Sequence, residues 1–413
     1  MQTSIDPAVV RPHFPVLERV VGGRPLVYFD NAASALKPRP VIDAVSTYLA
    51  CCSANIHRGR HLLSEEASEL YEASRDKVAR FFNAQRSGVI FVRGATEAIN
   101  VVAAGMRLRP ADNVVGTVLE HHSNILPWRC RCEYRGAPLT PAGLPDLAAA
   151  EALIDEQTRL VTVTGGSNVT GVAVPVRPWA DMAHRHGLPL LVDAAQAASH
   201  GRCDVHQYDC DFFAASGHKM CGPTGIGVLI GKETWLERLD PIPLGGGSVS
   251  LVRPDFSYEL RDLPWRLEAG TPNIAGAIGL GAAVDYLEAI GVERIERRNR
   301  ELRRCLDEQV AGIPGLVTLR PAPGADRTCI VAVADAAQRL APDYFSRVLS
   351  DSFGIMVRGG HHCAHPLHAH FGLPGSLRLS LQFYNTEEEI AYVSEALRQT
   401  IRMFAGGAAA PPA

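Results

Sequence analysis

Residues 190–196 read Leu-Leu-Val-Asp-Ala-Ala-Gln and residues 210–219 read Cys-Asp-Phe-Phe-Ala-Ala-Ser-Gly-His-Lys, and these two stretches decide the fold. Each is a short apolar run that ends in polar residues, which is typical of a buried strand with functional groups at its carboxyl end. Similar β-rich runs alternate with helical patterns from about residue 27 to residue 230, and this alternation indicates βαβ units. The sequence therefore predicts an α/β fold with a mostly parallel sheet.

The length of the chain, 413 residues, predicts two domains around a shared site. The pattern changes after the glycine-rich residues 244–248, and a long helical stretch at 274–306 is predicted to lead into a smaller α+β domain. We predict a large domain at residues 21–265 and a small C-terminal domain at residues 275–405, with residues 1–20 packed on the small domain. Residues 406–413 contain only Ala, Gly and Pro and are predicted to be disordered.

Composition excludes several classes of function. A formal net charge of -3 gives no electrostatic reason to expect a nucleic acid or an anionic membrane as partner. The first residues lack a secretory signal and no apolar run is long enough to span a bilayer, so a cytoplasmic protein is expected. The ten cysteines have no paired zinc-type spacing, and without secretion a disulfide framework is not expected.

The carboxyl ends of the two opening strands carry a carboxylate, Asp193, and an amine, Lys219. A pyridoxal phosphate enzyme needs this pair, because the lysine forms a Schiff base with the cofactor and the carboxylate pairs with the pyridinium nitrogen. The alternative is a surface lysine at the end of a strand. The polar groups at the neighbouring strand ends favour the cofactor site.

Those neighbouring groups include a phosphate cradle and a ring partner. Residues 94–97, Gly-Ala-Thr-Glu, follow a strand and open a helix, so free backbone N–H groups and the Thr96 hydroxyl suit a phosphate. His121 follows another strand and would lie flat against the cofactor ring, unless it is an exposed loop histidine. Asn168 and Gln196 also end strands, and each is a candidate partner for the phenolic oxygen of the cofactor.

A second decisive segment, residues 358–366, reads Arg-Gly-Gly-His-His-Cys-Ala-His-Pro. Cys363 is a nucleophile in one interpretation, with the adjacent histidines and Arg358 favouring its thiolate. It is a buried thiol in a second interpretation. In a third, the segment binds a metal through a set of side chains, namely His361, His362, Cys363, His365, His368 and His370. Beside a cofactor site the nucleophile interpretation is favoured.

Several motifs together resemble one known family. They are Tyr28-Phe-Asp-Asn-Ala-Ala-Ser34, Asn55-Ile-His-Arg-Gly59, Arg93-Gly-Ala-Thr96, Glu120-His-His-Ser123, Asp193-Ala-Ala-Gln196, Ser216-Gly-His-Lys219, Gly222-Pro-Thr-Gly-Ile-Gly227, Ala269-Gly-Thr-Pro-Asn273 and Tyr384-Asn-Thr386. The set resembles the fold-type I, class V aminotransferase group, and within it the SufS-like cysteine desulfurase/selenocysteine lyase branch. The resemblance runs from about residue 10 to about residue 400. It implies a fold-type I PLP-dependent transferase with a large domain and a smaller C-terminal domain.

The resemblance also implies roles for cofactor-binding residues. Lys219 is the Schiff-base lysine, Asp193 partners the pyridine nitrogen, Gln196 lies near the phenolic oxygen and His121 stacks on the ring as an acid/base group. The phosphate and the adjoining cofactor atoms are held by a further set, Ala95, Thr96, Asn168, Ser216 and His218. Thr271 reaches the phosphate of the partner subunit, which implies a homodimer with a shared site.

For the reaction, the resemblance implies that Cys363 takes sulfur from L-cysteine as a persulfide and leaves L-alanine. Arg378 clamps the substrate carboxylate through two parallel hydrogen bonds, and Asn168, His57 and Arg358 contact the substrate. A sulfur-acceptor protein or thiol would then remove the sulfur for iron–sulfur cluster assembly or another sulfur-containing product. The alternatives are a selenocysteine lyase, another C–S lyase of a specialised pathway, and a non-enzymatic sulfur or metal carrier.

Two departures from the family pattern predict extra room beside the substrate. Gly165-Gly166 stands where the family commonly has His-Val before Ser-Asn. Gly359 replaces a more usual small polar residue in the cysteine loop. An altered substrate is therefore an open alternative.

Overall fold

The structure is a computed structural model that describes residues 4–322 and 324–405. A seven-stranded sheet forms the centre of its larger part. In chain order its strands are β1 (Val89–Val92), β2 (Asn113–Thr117), β3 (Glu133–Ala137), β4 (Thr158–Thr164), β5 (Leu190–Asp193), β6 (Phe212–Ser216) and β7 (Gly227–Gly231). Their spatial order is β1-β7-β6-β5-β4-β2-β3. Strand β7 runs antiparallel to β1 and β6, whereas the other neighbours pair in parallel, which confirms the predicted fold class.

Helices cover the sheet and join it to the C-terminal part. The longer ones are α1 (Arg39–Cys51), α2 (Leu62–Phe81), α3 (Ala95–Gly105), α4 (Val176–Arg185), α5 (Ile274–Ile290), α6 (Val292–Ala311), α7 (Pro342–Phe353), α8 (His365–His370) and α9 (Glu387–Ala405). Short helices lie at Pro7–Val10, Leu126–Arg129, Leu147–Ala152, Ala197–His200, Val205–Tyr208 and Glu233–Leu236. Single 3₁₀ turns lie at Arg11–His13, Pro15–Glu18, Arg86–Gly88, His122–Asn124, Gly217–Lys219 and Trp265–Leu267.

The C-terminal part contains a second, antiparallel sheet. Its strands are β8 (Leu316–Leu319), β9 (Ile330–Asp335), β10 (Arg358–Gly360) and β11 (Ser376–Ser380), in the spatial order β8-β9-β11-β10. Two-residue strands pair Val20–Val21 with Arg24–Pro25 and Val27–Tyr28 with Ile355–Met356, and a hairpin pairs Val249–Val252 with Tyr258–Leu260. Near the N-terminus, Phe14 packs on Tyr384 of this part and on Tyr286 of α5. Residues 406–413, predicted to be disordered, lie outside the described residues.

The structure corrects one predicted helix and shows features that the sequence pattern does not mark. Helix α2 begins at Leu62, where the His61 side chain accepts from the Ser64 N–H, and the Ser64 hydroxyl donates to the Asn55 carbonyl. Strand β3 was not predicted from the sequence, because it lies at the edge of the sheet and its residues are mostly polar and not buried. The stretch predicted as one helix is two, α5 and α6, because Gly291 between them has φ +94°.

Helix α5 is almost entirely apolar because it is buried against α1 and α2. A Cβ on its Gly279 would lie 2.5 Å from Pro223 and 2.7 Å from Val45, so the approach of these elements requires glycine. Within the described ranges no single helix is long and apolar enough to cross a membrane. Helices α5 and α6 meet that test only as a pair, bent by 76°.

A buried ion pair ties α2 to the segment that follows the hairpin. The Arg75 side chain is fully buried and donates to both oxygens of Glu268 at 2.7 and 2.9 Å, while Glu268 also accepts from Tyr71 and from the Phe91 N–H. We expect Glu268→Gln to lower the free energy of unfolding by about 2 kcal/mol, because it removes a charged hydrogen-bond partner from the buried guanidinium and leaves Glu72 as its remaining counter-charge.

Urea unfolding of the two proteins measures this loss. The matched control is Asp76→Asn, which removes the half-exposed pair between Asp76 and Arg86 and should cost less than about 1 kcal/mol. Equal losses for the two variants would contradict the assignment of stability to the buried pair.

Candidate active site

The carboxyl ends of β2, β4, β5 and β6 converge on a cavity of about 230 Å³. Parallel strands bring their ends to one edge of the sheet, which is where α/β folds bind ligands. Segments of the C-terminal part close the opposite side. The lining residues predicted from the sequence are Ala95, Thr96, His121, Asn168, Asp193, Gln196, Ser216, His218, Lys219, Arg358, Cys363 and Arg378. Lys219 and Cys363 therefore open onto one shared space.

Lys219 lies in the 3₁₀ turn that follows β6, and Asp193 is the last residue of β5. Burial lowers the pKa of Lys219 to about 8, although the nearby Asp193 and Cys363 each act to raise it. A fraction of the lysine is thus a neutral amine near neutral pH. Burial raises the pKa of Asp193, whose Oδ1 accepts one hydrogen bond, 3.0 Å from the Ala195 nitrogen. The other carboxylate oxygen has capacity for a cationic partner.

His121 begins the turn after β2, and its Nδ1 accepts from the Ser123 N–H at 3.1 Å. Because Nδ1 is an acceptor there, the imidazole is held as the tautomer with its proton on Nε2. Burial and, to a smaller extent, the charge of Lys219 lower the pKa of His121 to about 4, so the ring is neutral at pH 7. Glu120 lies fully buried beneath it and accepts from Thr117, Asn124 and the Thr164 N–H. These bonds fix the strand end that carries His121.

The start of α3 forms an anion cradle. The Ala95 N–H donates to the Ser216 hydroxyl at 2.9 Å, and the Thr96 hydroxyl pairs with that of Ser123 at 2.8 Å. A Cβ on Gly94 would lie 3.2 Å from the Ser216 oxygen, so a side chain there would crowd the cradle. Hydroxyls beside the first N–H groups of an eleven-residue helix suit a phosphate.

Two guanidiniums line the opposite wall and share one carboxylate. Arg378, on β11, donates to Asp30 Oδ1 at 3.0 Å and to the Asn168 carbonyl at 3.1 Å, whereas Arg358 lies 3.3 Å from Asp30 Oδ2. Arg378 is buried, and its Nε has no partner among the described residues. An unpaired buried donor in a cavity fits an anionic ligand. Sequence analysis gave no role to Asp30, although it lies within the motif at 28–34.

Cys363 lies at the mouth of the cavity with an exposed side chain. Its carbonyl accepts from the His122 N–H at 2.8 Å, and the preceding carbonyl of His362 accepts from Asn168 Nδ2 at 2.7 Å. His362 and Cys363 have φ of +52° and +56°, a region that non-glycine residues seldom adopt. The two hydrogen bonds thus hold the loop in a conformation that it would not prefer alone.

Comparisons with known proteins agree with this geometry. The profile of the family described as "Aminotransferase class-V" matches residues 27–393. The chain belongs to this family. It is 45% identical over 406 residues to a Synechocystis sp. protein named "Probable cysteine desulfurase", with 96% of each chain covered.

Two solved structures extend the likeness to three dimensions. The apo structure of a cysteine desulfurase from Thermococcus onnurineus NA1 has a TM-score of 0.91 at 35% identity, covering 98% of this chain and 100% of the other. An S-sulfonic acid form of a cysteine desulfurase from Escherichia coli has a TM-score of 0.88 at 35% identity, covering 97% and 100%. The predicted membership in the cysteine desulfurases of the class V group is confirmed, and the selenocysteine lyase alternative is not favoured.

The metal interpretation finds no support in this class-V aminotransferase. Across residues 4–322 and 324–405, no group of three or more His, Cys, Asp or Glu side chains is arranged to hold a metal ion. The histidines of the cysteine loop stack face to face instead, as His361 does on His365 with ring centroids 4.0 Å apart. All ten cysteines are free, in agreement with the absence of a predicted disulfide framework.

Two predicted site residues lie outside the main cavity. His57 and Thr271 line a separate surface cavity of about 200 Å³. The His57 ring pairs with Glu72 at 2.8 Å and lies edge-on to Trp265. Within one chain, neither His57 nor Thr271 lines the cavity that contains Lys219.

The glycine departures do not simply enlarge the site. A Cβ on Gly359 would lie 2.1 Å from the Pro342 carbonyl oxygen, so no side chain fits there and the expected room is absent. Gly166 lines the main cavity, whereas Gly165 lines a neighbouring cavity of about 320 Å³ between the sheet and α6. A Cβ on Gly165 would come within 3.0 Å of the Ala197 Cβ. Gly165 therefore faces the neighbouring cavity and adds no room to the main one, and a side chain there would crowd Ala197.

Proposed function

We propose that this chain is a cysteine desulfurase that converts L-cysteine to L-alanine and takes the sulfur as a persulfide on Cys363. One observation carries the proposal: a lysine amine, a buried carboxylate-binding arginine and an exposed thiol all face the same cavity. An aminotransferase that transfers only an amino group does not need the thiol. A non-enzymatic sulfur carrier does not need the buried lysine. The 45% identity to a relative of that name supports the same conclusion.

We propose that the cavity holds pyridoxal 5′-phosphate. The donor set fits it, because the α3 cradle suits the phosphate and Asp193 suits the pyridinium nitrogen. The buried Oε1 of Gln196 has no hydrogen-bond partner among the described residues, and Gln196 lines the same cavity. This free polar group fits the role assigned to Gln196 near the phenolic oxygen of the cofactor. When bound, the cofactor stabilises negative charge at the substrate α carbon.

Lys219 and His121 are the acid/base groups of this proposal. Lys219, with a pKa near 8, is able to accept the α proton as a neutral amine and to return a proton as an ammonium. His121 is neutral, and its ring lines the cavity, so it would pack on the cofactor ring and would offer its Nε2 proton. Asp193 contributes fixed negative charge once a cationic partner compensates its burial.

The sulfur step belongs to Cys363. As a thiolate it attacks the sulfur of L-cysteine, a new S–S bond forms, and the carbon–sulfur bond of the substrate breaks with its electron pair left on carbon. That carbon gains a proton and becomes the methyl group of alanine. Cys363 keeps the sulfur as a persulfide, so that no external oxidant or reductant is consumed until an acceptor removes it.

Arg378 provides the test of substrate recognition. A guanidinium matches a carboxylate through two parallel hydrogen bonds, which an ammonium is unable to reproduce. We expect Arg378→Lys to raise the KM for L-cysteine by about 10- to 100-fold, corresponding to about 1.4–2.8 kcal/mol. Steady-state kinetics measure this, with the exposed Arg347→Lys as control. An unchanged KM would contradict the assignment.

We further propose a homodimer in which Thr271 and His57 complete the site of the partner subunit. Both are exposed and lie together around one surface cavity, which supports a joint role at an interface. Sedimentation at micromolar concentration tests the dimer, and a monomeric, fully active enzyme would contradict it. We also propose a cytoplasmic location and a protein or thiol sulfur acceptor, which the ten free thiols and the exposed Cys363 support.

The proposed function is tested by incubating the protein, reconstituted with pyridoxal phosphate, with L-cysteine and a thiol. With L-cysteine alone, we expect the mass of the Cys363 peptide to increase by one sulfur atom. After the thiol is added, we expect alanine and sulfide in equal amounts. L-selenocysteine serves as the comparison substrate. Release of pyruvate instead of alanine would contradict the proposal.

A further inference from the structure

Three imidazoles form a stack beside the Cys363 loop. His361 and His365 are parallel within 8° with ring centroids 4.0 Å apart, and the His122 and His365 rings are 5.0 Å apart and inclined by 22°. The His368 ring lies edge-on to the His361 ring, with ring centroids 5.5 Å apart. The three stacked rings come from the cysteine loop, from α8 and from the turn after β2, so the stack joins three separate parts of the fold.

Hydrogen bonds convert this stack into a clamp, which we define as His122 together with His365. His122 Nε2 accepts from the His365 N–H at 3.3 Å and lies 3.2 Å from His365 Nδ1. The His122 N–H donates to the Cys363 carbonyl at 2.8 Å. One residue, His122, thus holds the loop at Cys363 itself and again two residues later.

The clamp requires neutral rings. His122 Nε2 accepts from the His365 backbone N–H, so protonation of Nε2 would replace that acceptor with a donor and break this hydrogen bond. Burial lowers the pKa of His122, and the neighbouring His365 and His361 lower it further. The clamp is therefore complete near neutral pH and is lost only as the pH falls through the pKa of His122, which lies below its ordinary value.

The other titratable groups around the clamp also oppose a proton. His121 precedes His122 on the same turn with ring centroids 6.3 Å apart, and His368 lies behind His361. In the described part of the chain no carboxylate forms an ion pair with His122, His361 or His365. Nothing there stabilises an imidazolium.

We propose that His365 is a positioning residue which, through His122, holds the Cys363 thiol at the mouth of the cavity for attack on the substrate sulfur. The inference rests on the proposed function, since it assigns the geometry of its sulfur step. His365 touches neither the substrate carboxylate site nor Lys219, because it is absent from the cavity lining. Its loss should affect the sulfur step and leave α-proton chemistry intact.

The test compares three variants as reconstituted enzymes. His365→Leu removes the ring contacts with His122 and keeps the backbone N–H bond, His365→Asn keeps an N–H donor near the place of Nδ1, and His370→Leu changes an exposed histidine of the same helix outside the stack. We expect His365→Leu to slow persulfide formation about 10- to 100-fold with little change in KM, because a displaced reacting atom costs about that much. We expect His365→Asn to recover most of the rate and His370→Leu to match the wild type.

Two further readouts separate positioning from general damage. Exchange of the α proton of L-alanine in D₂O should be equal in all four proteins. Amide hydrogen exchange of residues 358–366 and of His122 should be at least about tenfold faster in His365→Leu alone. The ratio of wild-type to His365→Leu persulfide rates should approach one as the pH falls through the lowered pKa of His122, since protonation breaks its contact with His365; taking the ratio cancels the pH dependence of the thiolate.

Opposite results overturn the proposal in distinguishable ways. Equal persulfide rates in the wild type and His365→Leu would show that the clamp does not position the thiol. Loss of α-proton exchange together with the persulfide rate would show a general structural role. A wild type that exchanges the α proton but forms no persulfide would refute the proposed function, and the amide exchange would then still report whether the clamp exists.

Discussion

Replacing Lys219 by alanine is expected to reduce turnover of L-cysteine by at least about 10⁴-fold. General base catalysis alone contributes about 10²- to 10⁴-fold, and the same amine is also the group that anchors the cofactor. No other lysine lines the cavity, so no neighbour replaces it within the described residues. Alanine production measured with excess pyridoxal phosphate gives the loss.

A second readout makes this prediction independent of turnover. The wild type reconstituted with cofactor should retain visible absorbance after extensive dialysis, and Lys219→Ala should lose most of it. Lys219→Arg keeps the positive charge but supplies no neutral amine, and we expect it to be as inactive as the alanine variant. Lys77→Ala, which breaks a surface pair with Asp285, is the matched control and should behave as wild type. Turnover within tenfold of wild type in Lys219→Ala would remove the basis of the proposed function.

Replacing Cys363 by serine is expected to abolish the persulfide and to lower L-cysteine turnover by at least about 10³-fold. A serine hydroxyl is not ionised near neutral pH and is a poor nucleophile toward sulfur, whereas a thiolate is a good one. Lys219, Arg378 and the phosphate cradle do not depend on this side chain. The variant should therefore bind cofactor and exchange the α proton of L-alanine at the wild-type rate.

Mass spectrometry of the labelled peptides measures the persulfide. The control is Cys130→Ser, because Cys130 is also exposed but lies on the far side of the turn that follows His121. Persulfide on another cysteine of Cys363→Ser with full turnover would assign the nucleophile elsewhere. Loss of α-proton exchange in the same variant would mean that the thiol supports the cofactor site rather than the sulfur step.

Much of the site was predictable because its residues follow strand ends. Asp193 and Lys219 come directly after apolar runs, and parallel pairing of β5 with β6 brings such ends to one edge. Asn168, His121 and Thr96 follow from the same rule. Cys363 and Arg378 come from the other part of the chain, and their place at the cavity was predicted from family resemblance and not from periodicity.

Other features could not be predicted, because they depend on contacts between distant segments. Asp30 pairs with Arg378 and Arg358, which lie more than 300 residues further along the chain, and its place in the motif at 28–34 does not reveal these partners. The expected space at Gly359 is filled by the Pro342 carbonyl, which only the packing of α7 on β10 reveals. The predicted single helix at 274–306 breaks at Gly291, where a positive φ turns the chain.

The order of apolar runs and polar strand ends, read along the chain, determined the sheet, the amine and carboxylate of the site, and the class of chemistry. Such signals are local, because strand alternation and turn chemistry act over a few residues. The tertiary structure alone decided that the thiol and the lysine share a cavity, that His361 stacks on His365, and that His57 and Thr271 line a separate cavity. Those outcomes depend on how the C-terminal part packs on the sheet, and the free energy of that packing is distributed over contacts that no short stretch of sequence contains.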